Sequence, residues 1–513
     1  MSGHGLKVQC LASTGVEGWD GRGDERKEEE KRDEKELDDL GEGGEEEHAS
    51  MSLRSSTQKA AEPSAQDPME DDDPESASSS SESDDETSHS GASSDSQDVE
   101  EEEQHVSCMQ DTQLSPDGTC FFTSDYSRTF NVYPVDPTTS PDESIRPLKP
   151  YASFQSPNPI WAFAANPLFN FQDANTTHVL ISRRDSYITL HNALWDISQT
   201  SPTSDTSTTP INISTPLSFY KNINPLTEAV TAPLSLTYSH TGTHFFAGLR
   251  NSIATFDLSH TTAPIHSIAT IPSLRNKRKG GGRGFKGCIS ALSLSPPASL
   301  HNDGLLAAGS RTRYIGIYDA TGGTEMTSFA LPGTLTGQRK IRNENLAHVM
   351  GDGVTSLKWS PCGKYLYVAE RCSDVLLIYD VRNFSLSLGY CVGRRAQTKQ
   401  KLGFDVWNAG ASPYDVEAIA HEVWAGGMDG CVRVWRDPYV KEGAVEADEV
   451  VRVGGDEMPV VGTLVHASGG LAVVASGRMD IGDGDGLGKG KSRGGGVRPR
   501  FREWGRLDIL GLG

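Results

Sequence analysis

No Cys-x-x-Cys pair occurs among the eight cysteines, at 10, 108, 120, 288, 362, 372, 391 and 431. That absence excludes the paired-cysteine metal and redox motifs. Most of these cysteines fall in apolar stretches or turns, where a free thiol behaves as a small apolar residue. No apolar run approaches the ~18–20 residues needed to span a bilayer, and the N-terminus lacks the apolar core of a signal peptide. A reduced, intracellular compartment is the expectation. The 14 histidines show no metal-ligand spacing, so neither metal nor cofactor is expected. Residues 1–104 are poor in aromatics and rich in Glu, Asp, Ser and Gly, a composition that cannot offset its own ordering entropy. They carry 9 Lys/Arg against 33 Asp/Glu, a net of −24, whereas the whole chain sums to −23. Residues 105–513 are therefore near neutral, at about +1, and the global acidity says nothing about partners of the folded body. This reading divides the chain into an acidic, mostly disordered tail over 1–104 and a folded region over 105–513. Within the tail, Ser81 to Glu86 has the pattern of a site for acid-directed kinases, or simply of a solvating segment with incidental serines.

Catalytic motifs are equally scarce. Asp483 to Ser492 has the flavour of a phosphate loop, but Asp485 stands where G-x-x-x-x-G-K-S demands glycine, and no strand–helix context surrounds it. The same run fails calcium-loop spacing, with Leu487 and Gly488 at its fifth and sixth positions. No enzyme is expected, and no catalytic residue is assigned.

What the chain does have is a repeated grammar, clearest in residues 353–381. Three short runs rich in β-branched and aromatic residues are separated by the turns Ser360-Pro361-Cys362-Gly363 and Arg371-Cys372-Ser373-Asp374, and the third run ends Tyr379-Asp380. Proline presets one turn dihedral and glycine frees another. Strand–turn–strand–turn–strand is the signature of a propeller blade. It recurs with third-strand ends at Asn192, Asp257, Asp319, Asp380 and Arg436, spaced 65, 62, 61 and 56 residues apart. These spacings exceed the usual ~40–45, so the loops between blades are enlarged. Residues 197–216 read as a solvated Ser/Thr/Pro-rich loop, and 477–500 as a Gly/basic insertion in blade 7 before a third strand at Arg506–Leu510. The Trp195-Asp196 dipeptide lies past the end of a third strand and is discounted. The expected fold is all-β, a seven-bladed propeller. Blade 7 then lacks an outermost strand, and an open ring would expose a raw sheet edge. Residues just before 114 could supply it, or Leu6-Lys7-Val8-Gln9-Cys10-Leu11, which alternates like a strand. The second donor is favoured, because Glu100 to Gln104 make a poor strand.

The informative feature is electrostatic. Blades 2 to 5 place an arginine after the second strand at one apparent offset: Arg183, Arg250, Arg311 and Arg371, with Arg184 and Arg313 thickening the ring. The loop leading into blade 4 adds Lys277, Arg278, Lys279, Arg283 and Lys286 around glycines and Phe285. In a propeller these turns and this loop share one face. Guanidinium forks fit phosphate oxygens and stack on unpaired bases, so this face is a candidate RNA grip. Pairing of turn arginines with neighbouring carboxylates is the competing role, and Lys277-Arg278-Lys279 also fits a nuclear import signal. The Lys489 to Arg500 run adds an Arg/Gly-rich accessory.

Several stretches resemble the telomerase Cajal body protein family, WD-repeat proteins that bind small nuclear ribonucleoproteins. They are Phe219 to Ala229, Lys286 to Leu292, Gly309 to Asp319, Lys399 to Val406 and the Ala475-Ser476-Gly477-Arg478 break, all within residues 105–513. Blade 2 departs from the family pattern, ending His191-Asn192 where an aromatic and an acid are usual. The resemblance implies a non-catalytic scaffold for RNA of the small nuclear or telomerase type and for ribonucleoprotein proteins. It also implies a nuclear, Cajal-body location. A monomeric propeller without membrane contact is the expectation. The alternative is a protein–protein scaffold or substrate receptor that touches no RNA.

Overall fold

The computed structural model describes residues 6–15, 106–136, 144–198, 209–224, 227–272, 284–297, 303–321, 323–336, 339–340, 349–408, 420–453, 458–481 and 501–513. The acidic tract from 16 to 105, with its kinase-type serines, lies outside these residues. So do Lys277, Arg278, Lys279 and Arg283, the phosphate-loop-like run and the Lys489 to Arg500 segment.

Among the described residues the strands form seven antiparallel blades. Blade 1 opens with Met109–Leu114, Cys120–Asp125 and Thr129–Pro134 and ends on Ala152–Gln155. Blades 2, 3 and 4 begin at Ile160, Ser235 and Ile289, and their outermost strands are Ser218–Tyr220, His266–Ala269 and Glu325–Ala330. Blade 5 runs from Val354–Trp359 to Gly389–Cys391, and blade 6 from Phe404–Trp407 to Glu449–Arg452. The expected third-strand ends at Asn192, Asp257, Asp319, Asp380 and Arg436 coincide with strand ends.

The two middle strands of each blade are buried almost throughout and rich in β-branched or aromatic residues, which suits a sheet covered on each side. The innermost strand, such as Met109–Leu114, carries polar residues toward the channel. Seven apolar clusters result, one in each seam between neighbouring blades. Blade 7 contains Val460–Val465, Leu471–Ile481 and Phe501–Leu512. Its hairpin runs on to the pair Ile481↔Phe501, so residues 477–481 are strand and not insertion. The blade is completed by Val8–Ser13, antiparallel to Phe501–Leu512 in the register Val8↔Leu512 to Ser13↔Asp508. Strand alternation sends Cys10 into the blade 6–7 seam and Leu11 into the blade 7–1 seam. Arg146–Pro147 pairs parallel with Ala12–Ser13 and covers that outer edge. Ile211–Asn212, within the stretch expected to be solvated loop, does the same for blade 1, and Ile213 beside it is buried. Trp195 lies outside any strand and is exposed.

Blade 2's departure from the aromatic–acid ending has a local cause. His191 is fully buried, stacked on Phe154 at 5.0 Å, with ring nitrogens 2.9 Å from the Ile213 carbonyl and the Thr189 hydroxyl. Burial pulls its pKa down to about 4, so the neutral ring acts as a polar clip between blades 1 and 2.

Candidate nucleic-acid interface

Each blade runs outward through strands a, b, c and d. The b–c turns and the connections from d to the next blade's strand a therefore share one face, and the a–b turns and c–d loops share the other. On the first face, strand a of five blades starts with a β-bulge. The irregularities fall at Met109/Asp111, Ile160/Ala162, Ile289/Ala291, Val354/Ser356 and Val460/Gly462. A bulge re-aims the extra residue. Gln110, Trp161, Ser290 and Thr355, the extra residues of four of these blades, line the mouth of the central channel together with Tyr126.

Backbone register identifies which turn residues are equivalent around this mouth. The amides of Tyr126, Arg184, Arg311 and Arg371 donate to the carbonyls of Cys108, Pro159, Cys288 and Gly353, the residues before each strand a. Arg250 forms a bridge with Cys288 on the same rim. Arg183 is displaced by one position: it pairs with Ile160, as Ser310 pairs with Ile289 and Glu370 with Val354. It is therefore Arg184, not Arg183, that belongs with Arg311 and Arg371, whereas in blade 3 Ser235 pairs with Gly248, so register gives that place to Leu249 and Arg250 comes one residue later. Burial of Arg183 lowers its pKa, and its Nε has no hydrogen-bond partner among the described residues.

Two further expectations are corrected. Arg313 does not thicken the ring. It sits left-handed at φ 64° in its turn, is 9 % exposed, and grips Glu370 of blade 5 through Nε–Oε1 at 2.7 Å and Nη2–Oε2 at 2.8 Å. Phe285 offers no stacking surface, since it is fully buried against Tyr314, 5.9 Å between ring centroids. Lys286 is exposed beside it, its carbonyl accepting from the Thr312 hydroxyl.

The positions left at the rim differ in their partners. Arg184 meets Asp185 at 3.2 Å in an exposed pair, which is worth little in water. Arg250, Arg311 and Arg371 have no carboxylate partner among the described residues. Arg311 and Arg371 both line the mouth, a cavity of about 230 Å³ that also contains Trp161, Tyr126 and Asp352. Deeper, the channel widens to about 730 Å³. Its lysines are neutralised: Lys401, which also lines the mouth, by Asp111 at 2.7 Å, and Lys358 by Asp405 at 2.5 Å. Among the described residues lining these cavities, the Lys and Arg side chains without a carboxylate partner are therefore Arg311 and Arg371, at the rim. Trp161 and the bulges were not singled out in the sequence. The signal was present in the Ile160-Trp161-Ala162-Phe163 run, where the tryptophan interrupts an otherwise buried strand.

No group of three or more His, Cys, Asp or Glu side chains that could hold a metal ion occurs among the described residues. No helix among them is long and apolar enough to cross a membrane.

Comparison with known proteins adds two findings. The WD40 family (WD domain, G-beta repeat) matches residues 342–380, the strand–turn–strand stretch of blade 5. The guanine nucleotide-binding protein negative regulator 1 of Schizosaccharomyces pombe (strain 972 / ATCC 24843) is 27% identical over 207 residues. That is 40% of this chain and 44% of the relative, so the match spans less than half of the relative's length. Its name is that of a regulator and not of a telomerase Cajal body protein. With the repeat match seated in one of seven blades, the chain is a seven-bladed β-propeller that carries a WD40 repeat in blade 5.

Proposed function

We propose that this protein is a non-catalytic WD-repeat scaffold whose b–c turn face binds RNA within a nuclear ribonucleoprotein. The RNA is of the small nuclear or telomerase type, and the site of action is the nucleus and its Cajal bodies, as the sequence resemblance implies. One observation carries the reading: Arg311 and Arg371 stand at equivalent positions of one rim and line its mouth, and Arg250 of the preceding blade bridges to Cys288 on the same rim, all three without carboxylate partners among the described residues. Guanidinium groups so placed present several donors to a run of phosphates. Ultraviolet crosslinking of the full chain to nuclear RNA, followed by sequencing, tests it. Small nuclear RNAs are expected to be enriched, and the Arg250→Ala/Arg311→Ala/Arg371→Ala variant is expected to lose them. Equal recovery with the triple variant would sink the reading.

A protein-docking scaffold is the second reading, and an observation on the opposite face favours it. Leu168 and Phe171, both 54 % exposed, and Trp195, 48 % exposed, lie in the a–b and c–d loops of blade 2. Large exposed apolar groups gathered on one face mark interaction sites. The two readings use different faces, and an RNA scaffold also needs protein partners.

A further inference from the structure

The channel mouth differs from the rest of the basic rim in combining free guanidinium groups with an aromatic wall. Trp161 is the bulge residue of blade 2 and is only part-buried, so it is turned out of the strand's packing. Its indole N–H makes no hydrogen bond to the described residues. A buried tryptophan normally finds such a partner, and one left at a cavity wall is available to a ligand. Arg311 and Arg371, from the adjacent blades 4 and 5, line the same cavity. Gly353 holds the two turns together: at φ +90°, a Cβ there would lie 2.5 Å from the Arg311 carbonyl oxygen. Asp352 adds a carboxylate, and Gln110 and Ser290 add neutral polar groups on the remaining wall. A duplex cannot present a base to this enclosure, because its bases are stacked and paired, whereas an unpaired nucleotide can turn one in.

We propose that the mouth seats one unpaired nucleotide of the bound RNA, its base against Trp161 and its phosphate between Arg311 and Arg371. Asp352 accepts from an N–H on the base edge. This deepens the RNA reading and rests on it. The site selects single-stranded segments, loops or ends over helices, while Arg250 and Arg184 farther around the rim contact phosphates without regard to strandedness.

The test uses the full chain with three probes: a fluorescein-labelled 12-nucleotide single-stranded RNA, a blunt 12-base-pair RNA duplex, and a 12-residue polyglutamate peptide. Trp161→Leu is expected to weaken single-strand binding about tenfold, the scale of one lost base–aromatic stack, and to leave duplex binding unchanged. Trp161→Phe is expected to restore most of the loss. If Trp161→Leu alters neither RNA, or alters both equally, the nucleotide seat is wrong while RNA binding stands. If neither RNA binds and polyglutamate does, both readings fall together. Should the leucine variant not fold, 4-thiouridine in the single strand is photocrosslinked to the unmodified chain. Adducts on the peptide containing Trp161 support the seat, and adducts confined to other peptides overturn it.

Discussion

Two arcs of the same face use arginine in opposite ways. From blade 3 to blade 5, Arg250, Arg311 and Arg371 stand at the rim with no carboxylate among the described residues. From the end of blade 5 into blade 6, the arginines are committed to the fold. Arg394 is fully buried and donates to the carbonyls of Gly426, Leu402 and Gly403 at 3.3, 2.8 and 2.8 Å. Arg433, 6 % exposed, forks onto Asp429 at 3.0 and 2.7 Å, and Arg395 approaches the same carboxylate at 3.5 Å. Arg313 and Glu370 form a committed pair beneath the free arc itself. Residue type therefore says little about role. Depth and the presence of a turn carboxylate decide whether a guanidinium holds the propeller together or is left for a ligand.

The comparison breaks most visibly at the committed residues. Arg313→Met leaves Glu370 as an unpaired buried carboxylate and is expected to cost about 3–5 kcal/mol in denaturant unfolding. Replacing both residues, as Arg313→Met/Glu370→Leu, should recover much of that loss. A single variant within about 1 kcal/mol of the parent would place Arg313 with the free arginines after all.

A smaller effect concerns acid. Burial works against the Asp429 carboxylate, but the hydrogen bonds and charge of Arg433 outweigh it and hold the carboxyl below the usual range. A depressed folded-state pKa contributes stability that is present above the unfolded value near 3.8 and is lost as pH falls through the folded one. The stability difference between the parent and Asp429→Asn is therefore expected to be largest near neutral pH and to shrink below about pH 4, followed by urea titration across pH. A difference that stays constant with pH would remove Asp429 from the committed set.

The smallest stability change is expected where the function lies. Arg311→Ala and Arg371→Ala should each alter unfolding by no more than about 0.5 kcal/mol. Each should also reduce the slope of log affinity for single-stranded RNA against log salt by about 0.7. Large destabilisation with an unchanged salt slope would move them into the structural class.

How much of this was legible can be argued from particular residues. The two middle strands of each blade are mostly apolar and buried, so the third-strand ends at Asp257, Asp319 and Asp380 could be read directly from the chain. The outermost strands could not. His266–Ala269 is exposed at three of its four residues and Glu325–Ala330 is exposed or half-buried throughout, so no alternation marks them. Apart from Val8–Ser13, they are defined by the strand they pair with. The rim was half legible. Arg311 and Arg371 lie where counting places them, but counting put Arg183 in the place that register gives to Arg184, and Arg250 in the place that register gives to Leu249. The offset cannot be seen without the strand pairing, which sets Ser182 against Ala162 where blade 4 sets Gly309 against Ala291.

The chain by itself determined the repeat, the number of blades and the face on which the b–c turns emerge. Those follow from local apolar runs and turn residues, which act over a few positions. Only the tertiary structure decided which arginines are free, because, Asp429 in Arg433's own turn apart, the groups that claim them are distant in the chain. Glu370 lies 57 residues from Arg313, and Gly426 lies 32 from Arg394. Whether a guanidinium meets a carboxylate, a carbonyl or water depends on how neighbouring blades are registered against each other, and that is settled by packing in the seams between them.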